Sequence, residues 1–491
     1  MLKTLMRVKP VEPAAHVDAG EPVEGSLQGE ATLKRTLTAK HLILLGMGAV
    51  IGAGIFVVTG QAAANHAGPA IMLSFVLAGL ACAFAGLCYA EFAAMIPVSG
   101  SAYSYSYATL GEGVAWFIGW CLVLEYLFAS ASVAVGWSAY MISFLTTTLN
   151  IPFPDALSAA PILWEDGKFI ASGKLFNLPA VLIVAAISGL LYVGVTQSTF
   201  VNAVIVAIKV TVICLFVGFG LMYVDPANWT PFIPENTGTF GEFGWTGVFR
   251  AASIVFFAYI GFDAVSTAAG ETKDPQRNMP IGLLGSLAVC TVIYIIVCAV
   301  LTGLLPYTQL GTDKPVVTAL QTYAQLSWLK TWVEIGAIAG LSSVILVMMM
   351  GQTRVAYTIS RDGLLPSIFG KVHPKFRTPH LSTVIVGVVA ATLAGLVPLS
   401  VLGELVAMGT LLAFATVCIG ILVLRRTKPD LPRSFRVPAV WVIAPAGALI
   451  CLGLFAMAFA AHWLVFVLWN VLGVAIYLGY GMRHSKLNKS A

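Results

Sequence analysis

The chain has 491 residues, 58% of them hydrophobic and only 10% charged. Soluble domains carry roughly 25% charged residues, so the composition excludes a water-soluble enzyme and describes one polytopic membrane bundle. The net charge of +5 is therefore informative through where lysine and arginine sit, and is no signal for nucleic acid.

Residues 1–38 hold Pro, Gly and mixed charges, including Glu12, Asp18, Glu21, Glu24 and Glu30. With no apolar run of signal-peptide length, they are expected to form a flexible cytosolic tail. Twelve apolar runs follow, at about 41–66, 69–96, 114–145, 178–197, 199–224, 247–272, 280–305, 331–358, 381–398, 400–424, 438–460 and 462–482. Each is long enough for a membrane helix of about 20 residues. With the N-terminus inside, 21 lysines and arginines fall on cytosolic segments and 5 outside, Lys209 being left within a span. The excess of positive charge inside places both termini in the cytoplasm of a multi-pass inner-membrane protein.

The eight cysteines (82, 88, 121, 214, 290, 298, 418 and 451) lie in apolar segments without C-x-x-C spacing. They are expected to pack as small hydrophobes, forming no disulfide and binding no metal. No H-E-x-x-H, G-x-S-x-G or ATP-loop motif is present, which argues against a membrane enzyme.

Span 1 contains Gly46-Met-Gly-Ala-Val-Ile-Gly52-Ala-Gly54, and span 6 contains Phe256-Phe-Ala-Tyr-Ile-Gly261-Phe-Asp263. Both are apolar helices interrupted by glycine near mid-length, five spans apart and so of opposite orientation. That pattern predicts an inverted repeat with a binding site where two broken helices meet. The expected organisation is residues 39–224 as the first repeat, 247–424 as the second, and 438–482 as two further helices. It is an all-α membrane protein of about 12 spans in a 5+5 arrangement.

The same stretches resemble the amino acid–polyamine–organocation superfamily, in its bacterial cationic amino acid transporter-like subgroup. The matching residues are Gly48 through Phe56, Ser99-Gly-Ser-Ala-Tyr103, Leu124-Glu125-Tyr126, Phe257 through Asp263 with Pro275 through Pro280, and Gly351 through Val355 with Asp362 through Pro366. They run from the first span to the loop after the eighth. Two departures are Ala53, where many relatives carry a hydroxyl residue, and Ala269-Gly270-Glu271, where relatives often have paired acids. The resemblance implies a secondary transporter of L-amino acids, cationic ones such as arginine or lysine and also small neutral ones such as alanine. It implies no cofactor beyond a coupling proton, and a site between spans 1, 3, 6 and 8. An exchanger of amino acids or polyamines without proton coupling, and a transport-inactive sensor, remain open alternatives. So does the presence of a small accessory membrane peptide.

The chemistry of the breaks gives roles to particular residues. An interruption at Gly52-Ala53-Gly54 frees backbone N–H groups at the positive start of a half-helix, an anion site suited to the substrate carboxylate. In span 6 the carbonyls of Phe257, Ala258 and Ile260 lose helical partners and can accept from the substrate ammonium. The Phe257 ring is then either a gate or a packing side chain. Lys209 lies about ten residues into span 5, roughly 15 Å deep at helical rise. At that depth a lone ammonium favours its neutral form, so Lys209 is the candidate for proton coupling, or alternatively a fixed charge bracing spans 1, 5 and 8. Glu125, at similar depth in span 3, is expected to face the substrate. Asp263 is expected to hold the unwound segment or inner gate, and Leu341 in span 8 to face the substrate side chain. Met348-Met349-Met350 reads as core filling, and Glu91, Glu334 and Glu404 as interfacial or packing acids.

Overall fold

A computed structural model describes residues 5–9, 37–96, 100–165, 168–194, 199–263, 265–266, 268, 272–376 and 378–488. Residues 10–36 of the expected tail, and Ala269-Gly270-Glu271, lie outside the described residues.

Among the described residues, seven helical stretches are long and apolar enough to cross a membrane: Ala39–Met95, Glu112–Thr148, Ala203–Tyr223, Pro275–Leu304, Ala324–Arg361, Leu399–Thr427 and Val440–His484. Two shorter apolar helices, Leu178–Val193 and His380–Leu396, accompany them. In chain order the helices used below are α1 (Ala39–Val50), α2 (Ile71–Met95), α3 (Ser101–Thr109), α4 (Glu112–Ser143), α5 (Leu178–Val193), α6 (Thr199–Gly220), α7 (Gly244–Val255), α8 (Pro275–Leu304), α9 (Pro315–Gln321), α10 (Ser327–Arg361), α11 (His380–Leu396), α12 (Leu399–Thr427) and α13 (Val440–Ile476). A helix of 37 residues such as α13 would be about 55 Å long if straight. Instead it carries a non-helical residue at His462 (φ −132, ψ 30), between the two runs read from the sequence.

Turn chemistry sets several ends. Gly68 adopts φ +59 and is followed by Pro69, so the chain reverses before α2 at a residue that needs no Cβ. Asn177 caps α5 by accepting from the Ala180 N–H at 3.2 Å, and Gly194 closes that helix in the left-handed region, the expected chemistry for both ends. The core is built by the long helices: α4 packs along α10 and α12, α8 along α1 and α2, α11 along α5, and α13 along α12. Glycines permit the closest approaches. A Cβ at Gly282 would lie 2.5 Å from Leu42, and one at Gly409 would lie 2.9 Å from the Cys121 carbonyl.

Two features fall outside the helical pattern. A short antiparallel hairpin, β1 (Ile162–Glu165) with β2 (Lys168–Ala171), pairs Ile162 with Ala171. Within the segment read as a tail, Leu5–Lys9 docks on the bundle: Lys9 N–H donates to the Tyr107 carbonyl (2.9 Å), Glu112 N–H donates to the Arg7 carbonyl (2.9 Å), and Lys9 Nζ pairs with Asp362 at 2.8 Å.

Candidate functional site

The helix α1 stops at Val50, just before Gly52. Ile51 is extended (φ −72, ψ 98), its N–H still donating to Met47. Beyond it the chain resumes as a π-helical turn, Gly54–Val58, with Phe56 N–H donating to the Gly52 carbonyl at 3.2 Å. The N–H groups of Gly52, Ala53 and Gly54 therefore occupy the start of a half-helix, where intrahelical acceptors are missing and the dipole is positive. The second interruption follows α7. A 3-10 turn, Phe256–Tyr259, ends in extended Ile260 (ψ 135) and in Gly261 at φ +108, a conformation that side chains disfavour. A methyl at Gly261 would also lie 2.9 Å from Met348 Cε and 3.1 Å from Ala49. The two interruptions press directly on one another: a Cβ at Gly54 would sit 2.2 Å from Ala258 Cα.

Between them lies a cavity of about 10 Å³, walled by Gly52, Ala53, Gly54, Ala129, Val133, Phe257, Ile260, Val344 and Met348 among others. That is room for about one water, so the structure holds this centre closed. A second cavity of about 80 Å³ adjoins it, with Gln61, Asn65, His66, Phe257 and Glu404 on its walls. Phe257 belongs to both, and its ring position is that of a partition. Beside the second cavity, Arg250 of α7 donates to Glu404 of α12 at 2.7 Å, and Glu404 also meets His462 Nδ1 at 2.9 Å. Three elements are tied there by one carboxylate.

Lys209 of α6 is fully buried and spans the first interruption from behind. Its Nζ donates to the Gly48 carbonyl at 2.7 Å and the Ile51 carbonyl at 2.8 Å. Its stem packs on α10, where a Cβ at Gly340 would lie 2.8 Å from Lys209 Cε. Tyr294 of α8 reaches the same place from another side, its hydroxyl lying 2.7 Å from the Val50 carbonyl and 2.9 Å from the Ala258 carbonyl. Tyr140 caps the π-turn by donating to the Phe56 carbonyl at 2.7 Å.

The residues singled out from the sequence divide accordingly. Gly52, Ala53, Gly54, Phe257 and Ile260 wall the cavity. Ala258 contributes its carbonyl to Tyr294, while the Phe257 carbonyl is occupied within its own turn by Ile260 N–H at 3.2 Å. Glu125 is fully buried one helical turn before Ala129, and is not part of the cavity wall. Asp263, also fully buried, accepts from Tyr126 Oη at 2.7 Å. Leu341 is buried behind the wall, and the α10 positions that face the cavity are Val344 and Met348. Met348 is buried in the core, as expected, and also touches the small cavity. Glu91 and Glu334 are buried and bonded, to Arg425 and Val437 N–H in one case and to Ser143 and Thr148 in the other. Glu404 stands on the wall of the second cavity, beyond a packing role. Reading the sequence missed Tyr294, Ala129 and Val133. Spacing from Glu125 along one face of α4 points to the last two.

Two interrupted helices meeting at a closed centre inside an apolar bundle are the arrangement of a multi-pass membrane permease. The chain matches the amino acid permease family over residues 37–480, and it belongs to that family, within the amino acid–polyamine–organocation superfamily. It is 48% identical to the branched-chain amino acid permease BcaP of Bacillus subtilis, over 94% of this chain and 96% of that protein. It is also 48% identical to the methylthioribose transporter of the same organism, over 93% of this chain and 96% of that one. Identity to the vacuolar cationic amino acid transporter 2 of Arabidopsis thaliana is 37%, over 82% of this chain and 62% of that protein.

Proposed function

We propose that the protein is a proton-coupled symporter of L-amino acids, working by alternating access in a twelve-span, 5+5 inverted-repeat bundle with both termini in the cytoplasm. The observation that carries this reading is Lys209, whose ammonium bonds two carbonyls of the first interruption from behind the cavity. Bonds from a charged donor are roughly twice as strong as neutral ones. Loss of the proton therefore loosens Gly48–Ile51, the segment leading into the Gly52-Ala53-Gly54 anion site. The substrate carboxylate sits on those N–H groups, and its ammonium on the carbonyls of Ala258 and Ile260. Phe257 closes the outer side, and Asp263 holds the unwound segment below.

The side chains on the cavity wall favour a neutral aliphatic substrate. Ala129, Val133, Ile260, Val344 and Met348 offer no charge to a guanidinium or ammonium tail, and Glu125 stands a turn away. The name of the Bacillus branched-chain permease agrees with this preference. The methylthioribose relative, equally similar, supports a second reading in which the solute is a neutral thioether sugar. Exchange without proton coupling is the competing mechanism, with Lys209 as a fixed brace.

Purified protein in liposomes under an inward proton gradient, offered labelled leucine, arginine and methylthioribose, tests both parts. Gradient-driven accumulation of leucine that Lys209→Ala loses while still binding leucine is the expected result. Uptake indifferent to the gradient but dependent on internal amino acid refutes symport. Preference for arginine refutes the assignment of the wall, and preference for methylthioribose replaces the substrate class.

A further inference from the structure

A groove separate from the interruptions lies at the start of α8. It has a volume of about 690 Å³ and is formed by the first turns of α8 and the loop between α12 and α13. Its apolar wall is Pro280, Ile281 and Leu284 with Phe435 opposite, and its polar rim is Gln276, Arg277 and Ser434. From Pro280 to Gly285 the wall rises about 8 Å along the helix axis, beginning where α8 leaves its polar start. Ile281 is 45% exposed, so the groove opens sideways where a bilayer would be.

The rim carries positive charge in excess. Arg277 and Arg436 are both exposed and have no ion-pair partner among the described residues. The neighbouring arginines do not share their position. Arg425 and Arg433 both lie on Glu91, at 2.7 Å and 3.1 Å, and that carboxylate also accepts from the Val437 N–H at 2.7 Å. Arg433 further donates to the carbonyls of Pro429, Leu431 and Lys428. One buried carboxylate thus serves two guanidinium groups and pins the loop, while Arg436, next in the chain to the groove residue Phe435, is left exposed. Exposed Lys273 and Asp274 at the start of α8 offset one another.

Backbone chemistry adds an acceptor. Pro280 lies inside α8 and has no N–H, so the Gln276 carbonyl four residues earlier loses its intrahelical donor. The groove therefore presents Arg277, with Arg436 adjacent in the chain to its wall, one carbonyl free of its helical partner, and an apolar wall. A soluble anion would leave the wall uncovered, and a neutral acyl chain would leave the arginines unanswered. An amphiphile satisfies both, and basic pockets at the cytosolic ends of membrane helices suit anionic headgroups.

We propose that this groove binds an anionic glycerophospholipid of the phosphatidylglycerol type, its phosphate at Arg277 and Arg436, a headgroup hydroxyl on the Gln276 carbonyl, and its upper acyl chain along Pro280, Ile281 and Leu284. At the edge of the groove α8 packs on α1, where a Cβ at Gly285 would meet Ile43 at 3.0 Å. The lipid is thereby placed against the helix that supports the first interruption.

The test is retention of lipid by the purified full chain in native mass spectrometry, after exchange into vesicles of phosphatidylglycerol and phosphatidylcholine in equal amounts. The wild type is expected to carry phosphatidylglycerol, and the Arg277→Ala/Arg436→Ala variant to retain about tenfold less or lower still. Ile281→Trp fills the groove while leaving both charges, faces lipid in the fold, and is expected to lose the adduct too. Glycerol 3-phosphate at millimolar concentration is expected not to displace it. Equal retention of the two lipids, or an unchanged adduct in either variant, overturns the proposal. Displacement by glycerol 3-phosphate overturns it as well, by showing a soluble-anion site.

Discussion

Gly54→Ala places one methyl group where the two interruptions touch. The added Cβ would lie 2.2 Å from Ala258 Cα, 2.3 Å from its Cβ and 3.0 Å from its backbone nitrogen. Carbon atoms settle at about 3.5–4.0 Å, so the half-helices must separate by more than about 1 Å. The obstacle is backbone and a methyl, with no flexible side chain to turn aside. Overpacking costs about 1–3 kcal/mol, and a backbone obstacle belongs at the upper end. At about 3 kcal/mol the closed arrangement becomes roughly 100-fold less populated, and transport that must pass through it slows in proportion. Initial rates of leucine uptake into liposomes, at matched amounts of folded protein, measure this. Gly218→Ala is the control, since nothing lies within 4 Å of a Cβ there. A Gly54→Ala protein that transports at more than about half the wild-type rate would refute the argument that the contact in this structure is part of the working cycle.

Three further outcomes are expected. Lys209→Met keeps the stem but removes both donors from the Gly48 and Ile51 carbonyls, at about 1–3 kcal/mol for each buried carbonyl left unpaired; uptake should fall more than about tenfold, and what remains should no longer respond to a proton gradient. Glu91→Gln leaves Arg425 and Arg433 facing a neutral group, and disruption of a buried pair of this kind costs about 3–5 kcal/mol, to be read as a lower midpoint of thermal denaturation in detergent. Arg250→Ala releases Glu404 from α7 and should open the second cavity: in a Cys214→Ser background, Ser400→Cys, at a position that lines that cavity, should react several-fold faster with a membrane-impermeant thiol reagent.

What could be read from the residues alone follows from the range of the interactions involved. Apolar runs report helices because burial in lipid is a local requirement, satisfied turn by turn. The interruptions were legible for the same reason: Gly52-Ala53-Gly54 and Gly261 are backbone properties of a few consecutive residues. Side-chain bridges were not. Tyr294 meets Val50 across 244 positions of chain, and Lys9 meets Asp362 across 353, separations that no periodicity records. Met348 is core filling as expected, but its place on the small cavity was not legible, for a related cause. A run of three methionines on a helix has the same pattern whether a given one faces the core or a cavity, and the neighbour that decides it, Gly261, belongs to another element. Glu125 was expected at the substrate because its depth was right. Depth along α4 is a local quantity, but the level at which α1 and α7 break is not; in this closed arrangement Glu125 lies one turn before Ala129, which lines the cavity.

The Tyr294 hydroxyl has one hydrogen and two carbonyls within reach, on Val50 and Ala258. It can serve them fully only in alternation, so this hydroxyl leaves one of the two carbonyls short of its hydrogen. In an interior with few other sources of hydrogen, that shortage works as an admission rule. A solute that brings an N–H or O–H completes the set and draws the two interruptions together through the same tyrosine. A purely hydrocarbon solute of equal size leaves the deficit where it was.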